Sequence, residues 1–426
     1  MDRPRPPPLP LPSGPRFLLP PFLAALLAAL VWSRGAAPFA WLLFLAPLLG
    51  SAAPGWKRFL VALGYSLGCL AVLVPTLAAV LGDAPGRVAG TALLWVFLSA
   101  APWLLARGRT AAGLFGEGLL ALGLTALPPL GAIDPFSPAV GATAWAVGLG
   151  PWGLAAYALL FSVLLVLAGR PRSPPLWLAA GGLSVGLLVV GGSRLPRPSI
   201  TTAVGFSGSF GPEPRTLLAQ RRRVVLLARL LAHARATDPA ARVYVFPEFF
   251  LGRFDRGVAR WLAPLDRALA RRHAEAIAGA AVALTGPSGR TRWTDGAIAF
   301  GEDRAIVVTR QPAPLAEWRP WRNRSFPAYW WPWSVPPAGV RLGGFVEPTG
   351  RGGRRRIAVA VCYAQTLAWT WLWNTRGGPP AFVAAPESFL WTRARGPRRL
   401  EARLARAWGR LFAVPVVVAR ALPPSA

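Results

Sequence analysis

Seven long apolar stretches, all before residue 194, are the feature that most limits how this 426-residue chain can fold. They cover roughly residues 17–32, 36–53, 59–82, 88–106, 110–130, 145–168 and 176–193. Each is about as long as the ~17–25 residues that a membrane-spanning helix needs, the first being the shortest. Because six more follow it, the first stretch is predicted to be an uncleaved span rather than a signal peptide. The sequence therefore predicts about seven transmembrane helices over residues 1–193.

Basic residues on alternate short loops predict how these helices are oriented. One set of loops carries Arg3, Arg5, Arg16, Lys57, Arg58, Arg107, Arg109, Arg170 and Arg172. The opposite loops offer only Arg34 and Arg87, against Asp83 and Asp134. Since loops rich in arginine and lysine remain on the cytoplasmic side of a membrane, the N-terminus is predicted to be cytoplasmic. Seven crossings of a bacterial inner membrane then place residues 194–426 in the periplasm.

Glu117 is the one charge well inside a predicted span. Two interpretations are open: a buried functional acid, or an ion pair near the membrane surface with Arg107 or Arg109.

Residues 194–426 alternate between strand and helix patterns, which is typical of an α/β sandwich. Strands are predicted at 200–206, 241–248 and 355–364, and helices at 215–236, 265–281 and 398–414.

The formal charge of +30 invites a nucleic-acid interpretation, but the arginines are spread over helix faces and turns. No DNA-binding motif accompanies them, so attraction to anionic lipid headgroups is the simpler account and no specific nucleic-acid binding is expected. His233 and His273 are too isolated to predict a metal site, and the sequence predicts no cofactor.

Two predicted strands end in residues that suit covalent catalysis: Glu248 in "VYVFPEFF" and Cys362 in "VAVCYAQ". A carboxylate can take the proton of a thiol, and the thiolate can then attack a carbonyl whose oxyanion is held by a cation or backbone N–H groups. Neither motif is strong alone, since a buried cysteine in a strand is usually a packing residue and a glutamate after proline is often a turn residue.

In this order the two motifs resemble the nitrilase (carbon–nitrogen hydrolase) superfamily, whose Glu–Lys–Cys triad stands on strand ends. Seven spans ahead of such a domain resemble its membrane branch, which includes bacterial apolipoprotein N-acyltransferases and TraB-type conjugal-transfer proteins. The segments "RQPAPLAEWRPW" (310–321), "CYAQTLAW" (362–369) and "ARAWGRLFAVPVVVA" (405–419) favour the TraB type. The resemblance implies an α-helical transmembrane bundle followed by a nitrilase-like α-β-β-α sandwich over 194–426.

The resemblance also implies the site residues. Glu248 matches the general base, and Cys362 the nucleophile, followed by the expected Tyr363. No lysine follows residue 57, so Arg310 stands where the family has lysine. With an ordinary guanidinium pKa above ~12, it could hold an oxyanion but would not give up a proton easily.

Three further positions of the family pattern lie near the triad. Glu317 matches a second acid. The acid often found two residues after the nucleophile is Ala364 here, and the asparagine of the next strand end is replaced by Ser388 or Glu387.

The loop 317–337 contains Trp318, Trp321, Trp330, Trp331 and Trp333. It is predicted either to rest on the outer leaflet and guide an acyl chain to Cys362, or to pack on its own domain as a lid.

The function predicted from these features is acyl transfer through a Cys362 thioester, with a phospholipid as donor and an amine of a lipoprotein or envelope protein as acceptor. The alternative is a catalytically degenerate envelope component of a conjugal-transfer system. Hydrolysis of a small amide or nitrile is a third possibility, which fits the superfamily but not the membrane anchor.

Overall fold

The computed structural model describes residues 15–33, 38–52, 55–82, 84–105, 108, 110–170, 174–192, 202–285, 291–314, 340–342, 345–346, 356–392 and 395–424.

Within the first 192 residues, the regular structure of the described segments is helical. The α-helices are α1 (Leu19–Trp32), α2 (Leu45–Ser51), α3 (Gly55–Gly68), α4 (Leu70–Leu81), α5 (Pro85–Ala100), α6 (Ala111–Ala126), α7 (Ala142–Trp145), α8 (Gly150–Gly169) and α9 (Pro174–Gly192). Short 3-10 helices cover Pro15–Leu18, Phe39–Phe44, Ala101–Leu105, Leu130–Ala132 and Pro138–Gly141. Each of the seven predicted apolar stretches overlaps described helical segments.

By length and composition, two described helical segments could each cross a membrane, Pro85–Leu105 and Gly150–Gly169. The pair α3 and α4, bent by 56°, makes a third if it is one span. The number of crossings, predicted as seven, stays a prediction.

Small residues allow the helices of this region to approach closely. A Cβ on Gly64 would lie 2.3 Å from the carbonyl oxygen of Pro21, and one on Gly68 would lie 2.2 Å from that of Ala25. The four-residue spacing of the two glycines therefore gives α3 a groove that receives α1. Small residues at such spacing are typical of closely packed apolar helices.

Glu117 forms an ion pair on the bundle. Its Oε2 lies 2.7 Å from Nη1 of Arg58, and its Oε1 accepts a hydrogen bond from the N–H of Gly108. The interpretation as an ion pair fits, but the partner is Arg58, because α3 packs beside the 3-10 helix Ala101–Leu105. Arg107 and Arg109 lie outside the described residues.

The α/β region contains helices α10 (Leu217–Thr237), α11 (Arg256–Ala270), α12 (Ala368–Asn374) and α13 (Arg395–Leu411), with a 3-10 helix at Cys362–Thr366. Its strands are β1 (Ala203–Gly205), β2 (Ser207–Gly208), β3 (Val243–Phe246), β4 (Arg253–Phe254), β5 (Glu275–Thr285), β6 (Thr291–Gly301), β7 (Ala305–Val308), β8 (Val340–Leu342), β9 (Phe345–Val346), β10 (Ile357–Val359), β11 (Phe382–Ser388) and β12 (Val416–Ala421).

These strands form two sheets. One has the order β1-β3-β5-β6-β7-β8, with β4 also paired to β5, and the other has the order β2-β12-β11-β10-β9. Alternate residues of both sheets, such as Val245, Ile277, Val359 and Ala384, form one buried core between them. Because successive side chains of a strand point to opposite faces, every second residue of each sheet contributes to this layer between the sheets.

Helices cover the outer faces. Leu227 of α10 and Leu262 of α11 pack on the outer face of the first sheet. Leu404 and Trp408 of α13 belong to a cluster that joins the second sheet to the helical region. The layers are therefore α-β-β-α, and the predicted fold class, a helical region of apolar helices followed by an α/β sandwich, is confirmed.

The predicted helix at 265–281 is wrong in its second half. Residues from Glu275 onward form β5, which lies between β3 and β6 with Ile277 and Ala278 fully buried. The alanine-rich segment has high helix propensity, but pairing on both edges and burial on both faces override it. The helix α11 instead starts earlier, at Arg256, where the Asp255 carboxylate caps it by accepting from the N–H of Val258, 2.9 Å away.

The α/β region contacts one end of the helical region. Nη1 of Arg403 lies 2.7 Å from the carbonyl oxygen of Val31, and the Tyr363 hydroxyl lies 3.1 Å from that of Ala132. Val31 lies at the C-terminal end of α1 and Ala132 in the connection that follows α6, and the charge pattern predicts both places to be on the outer side. The far end of the bundle carries the Arg58–Glu117 pair.

Candidate functional site

The strand topology places the three predicted triad residues at one end of the sandwich. The link between the sheets is Phe206, whose N–H bonds to Val245 of β3 and whose carbonyl accepts from Arg420 of β12. Thus β1 and β2 are one continuous segment shared by the two sheets. Strands β3, β5 and β7 run parallel to β1, and β10, β11 and β12 run parallel to β2. The carboxyl ends of β3, β7 and β10 therefore face the same way, and Glu248, Arg310 and Cys362 follow them by two or three residues.

Glu248 is held by its backbone. The carbonyl of Pro247 accepts from the N–H groups of Phe250 and Gly279, at 3.3 and 3.1 Å. Phe249, directly after the acid, has a φ of 52°, in the left-handed region that costs energy for a bulky residue. A Cβ on Gly279 would lie 2.4 Å from the Cα of Glu248, so only glycine lets β5 pass this close. The acid is 3% exposed, which suits a general base held in one place.

Cys362 stands at a sharp change of chain direction. The ladder continues past β10 as far as Ala360, whose N–H bonds to Ala384 at 2.9 Å. At Cys362 the φ is 43°, and a 3-10 helix begins there, so the predicted strand 355–364 ends before the thiol. The side chain is half-buried and packs at the edge of the core between the sheets. A left-handed non-glycine residue at a strand end is the kind of local strain that clusters at functional sites.

Arg310 stacks on a tryptophan. Its guanidinium carbon lies 3.5 Å from the ring centre of Trp373, and that of Arg376 lies 3.3 Å from the same centre. Two guanidinium groups this close to one ring cannot share a face, so the indole lies between them. Burial, and after it the charge of Arg376, lower the pKa of Arg310 to about 9. The group stays cationic at neutral pH, but the ordinary guanidinium value expected from the sequence does not hold here.

Glu401, on α13, is a site residue that the sequence reasoning missed. Its carboxyl is hydrogen-bonded to the Cys362 side chain, and its Oε1 accepts from Nε2 of Gln365 at 2.7 Å. Burial first, and then the negative charge of Glu387, raise the pKa of Glu401 to about 8. A signal for it exists in the sequence, since Glu401 is the one acid in a helix with six arginines. It stands among the apolar positions rather than on the basic face.

The other predicted residues fall in different places. Ser388 ends β11 four residues after Ala384, so it lies on the same face of the strand, the face toward the core between the sheets. Glu387 faces the opposite side, where its Oε2 lies 2.6 Å from Nε of Arg420. Tyr363 is tied to the helical region through Ala132, and burial raises its pKa well above the ordinary value.

Glu317 and the loop tryptophans Trp318, Trp321, Trp330, Trp331 and Trp333 lie outside the described residues.

Comparison with known proteins identifies relatives by sequence. The chain is 29% identical over 307 residues to the conjugal transfer protein TraB of Agrobacterium fabrum, and the match covers 71% of this chain and 65% of that protein. It is 27% identical over 308 residues to a probable conjugal transfer protein TraB of Sinorhizobium fredii, with 70% and 71% covered. The chain thus spans less than two thirds of the length of the first relative. No family model matches.

Two solved structures are also similar. Nit3 of Saccharomyces cerevisiae, a member of branch 10 of the nitrilase superfamily, matches with 15% identity and a TM-score of 0.34, over 53% of this chain and 79% of that one. A carbon–nitrogen hydrolase from Helicobacter pylori matches with 13% identity and a TM-score of 0.32, over 51% and 72%. The resemblance predicted from the motifs is confirmed: the chain is a homologue of TraB conjugal transfer proteins, with structural neighbours in the nitrilase superfamily.

Proposed function

We propose that the protein is a membrane-anchored acyltransferase that works through a Cys362 thioester and serves conjugal transfer. The observation that carries the proposal is the convergence of Glu248, Arg310 and Cys362 on one end of the sandwich, with a left-handed φ of 43° at the nucleophile. Convergence of an acid, a cation and a thiol is the arrangement that acyl transfer through a thioester needs.

The chemistry follows from these three groups. Glu248 takes the thiol proton of Cys362, and the thiolate attacks the carbonyl carbon of a phospholipid ester. Arg310 offsets the negative charge on the oxyanion. The intermediate collapses, the ester C–O bond breaks, and Glu248 returns the proton to the departing lysophospholipid alkoxide. An amine of a lipoprotein or envelope protein then attacks the thioester, which gives an amide and the free thiol.

The membrane anchor is part of the proposal. Large apolar side chains point outward from the helical region, among them Phe22, Leu93, Leu94, Trp152 and Leu178. An exposed apolar surface of this extent is unusual for a domain in water and supports contact with lipid. We place the helical region in the bacterial inner membrane, with a cytoplasmic N-terminus and a periplasmic α/β domain. The Trp-rich loop 317–337 is the proposed route of the acyl chain.

The test is intact-protein mass spectrometry of the full chain, purified in detergent and incubated with bacterial phospholipids. Wild type and Cys69→Ala should gain a hydroxylamine-sensitive acyl mass, since Cys69 is buried in the bundle. Cys362→Ala should gain none, and Glu248→Gln should gain it far more slowly. If wild type stays unmodified while an apolipoprotein N-acyltransferase is acylated in parallel, the catalytic proposal fails.

A second candidate function is a non-catalytic envelope component of a conjugal-transfer system. The stacking of Arg310 on Trp373 favours it, because a guanidinium held flat against an indole is fixed in place by that contact and is less able to turn toward an oxyanion at Cys362. In that case conjugation frequency would be unchanged in a Cys362→Ala strain and lowered only by deletion of the gene.

A further inference from the structure

A groove lined by arginines lies on the side of α13 away from the thiol. Its volume is about 730 Å³. Six of its ten lining residues are arginines, and among the described residues that line it none is acidic. The arginines are Arg398, Arg399, Arg403, Arg406 and Arg410 on α13, and Arg420 on β12.

The regular spacing of α13 concentrates this charge. Arg398, Arg406 and Arg410 follow one another at multiples of four residues, so they stand along one stripe of the helix. Burial first, and then the neighbouring charge of Arg410, lower the pKa of Arg403. Arg420 is already paired with Glu387, but repulsion among the arginines of α13 costs free energy, and an anion in the groove would offset it.

The groove is next to the end of an apolar helix. Nη1 of Arg403 lies 2.7 Å from the carbonyl oxygen of Val31, near the C-terminal end of α1. The guanidinium carbon of Arg403 lies 4.0 Å from the ring centre of Phe39, where the next apolar segment begins. If these helices are in a bilayer, the groove stands at the level where helices leave the hydrocarbon, which is the level of lipid headgroups.

We propose that this groove binds the phosphate headgroup of an anionic phospholipid. Guanidinium groups bind phosphate oxygens in pairs, with fixed geometry, and several can surround one phosphodiester. A volume of about 730 Å³ holds a whole glycerophosphate headgroup rather than one phosphate ion. The site is separate from the chemistry at Cys362, because Glu401 occupies the opposite side of α13, against the thiol.

Native mass spectrometry of the full chain in neutral detergent tests the proposal. All proteins carry Cys362→Ala, so that acyl transfer adds no mass and failure of the proposed function leaves the result unchanged. The groove variant is Arg399→Gln/Arg406→Gln/Arg410→Gln, three exposed positions. The matched control removes three exposed charges from α10 with Arg221→Gln/Arg222→Gln/Arg229→Gln. The probes are phosphatidylglycerol, phosphatidylcholine with the same acyl chains, glycerol 1-phosphate and a single-stranded oligonucleotide.

The expected result is saturable binding of phosphatidylglycerol, weakened about tenfold or more in the groove variant and unchanged in the control. If the triple variant does not fold, Arg406→Gln alone should weaken binding about threefold. Equal affinity of the groove variant and the parent for phosphatidylglycerol would overturn the proposal, as would equal binding of phosphatidylcholine. If glycerol 1-phosphate or the oligonucleotide binds more tightly than the lipid, and this binding needs the groove arginines, the lipid proposal fails. The ligand class would then be a soluble phosphate or a nucleic acid, respectively.

Discussion

Replacement of Glu401 by glutamine should change how the reactivity of Cys362 depends on pH. The Glu401 carboxyl is 7% exposed and hydrogen-bonded to the Cys362 side chain. With its pKa raised to about 8, this acid is neutral at pH 6 and ionised at pH 9. Glutamine keeps the shape and the hydrogen bond from Gln365 but never acquires the charge.

The size of the effect follows from Coulomb's law. Two charges about 4 Å apart interact by ~4 kcal/mol at an effective dielectric constant of ~20. An ionised Glu401 opposes the thiolate by up to this amount, and only the thiolate is alkylated. Allowing for water and for relaxation of the hydrogen bonds, we expect Glu401→Gln to react about tenfold faster than wild type at pH 9. At pH 6 the two rates should agree within about twofold, since both side chains are then neutral.

The assay is alkylation by iodoacetamide, followed by mass spectrometry of the peptide that contains Cys362. Glu213→Gln, in the loop before α10, is the control for loss of an acid elsewhere. Parallel pH profiles for wild type and Glu401→Gln would refute the assignment of Glu401 as the group that controls the thiol.

Three further predictions concern stability, read as apparent unfolding midpoints in detergent. Gly279→Ala should lower the free energy of unfolding by about 1–3 kcal/mol and also slow acylation of Cys362, because the added Cβ would meet the backbone of Glu248. Gly90→Ala is the control, since no atom lies within 4 Å of the Cβ that it adds. The buried Glu275 has its pKa raised by burial from 4.5 to about 9, so the folded state binds the proton more tightly and stability falls as pH rises from about 4.5 to about 9. Glu275→Gln should therefore stabilise the protein at pH 8, by up to ~4 kcal/mol, and hardly at pH 5; an equal effect at both values would contradict this. Glu117→Gln should lower the free energy of unfolding by about 3 kcal/mol, because Arg58 is left buried without its ion pair. The double variant Arg58→Met/Glu117→Leu should lower it by less, because it leaves no buried charge.

The local chemistry of the candidate site was accessible from the sequence. Apolar runs that end in Glu248 and Cys362 predict strands with reactive groups at their ends, since buried strands are continuous apolar segments. The alternation of strands and helices predicts the α/β class. Long apolar stretches predict the helical region, because only a helix satisfies its backbone within one such stretch.

Pairing partners could not be predicted in the same way. The charge pattern suggests Arg107 or Arg109 for Glu117, but the packing of α3 against the 3-10 helix Ala101–Leu105 supplies Arg58. The segment 275–281 reads as helix by composition, and becomes a strand because β3 and β6 pair with it on both sides. These outcomes depend on residues far away in the chain, which no local window contains.

The sequence alone predicted Glu248 and Cys362 as candidate reactive residues, because apolar periodicity and reactive strand ends are local properties. The tertiary structure alone decided their surroundings: Trp373 between Arg310 and Arg376, Glu401 against the Cys362 side chain, and a basic face of α13 at the end of α1. The physical reason is that burial and neighbouring charge set the pKa and the orientation of a group, and both are contributed by segments distant in sequence.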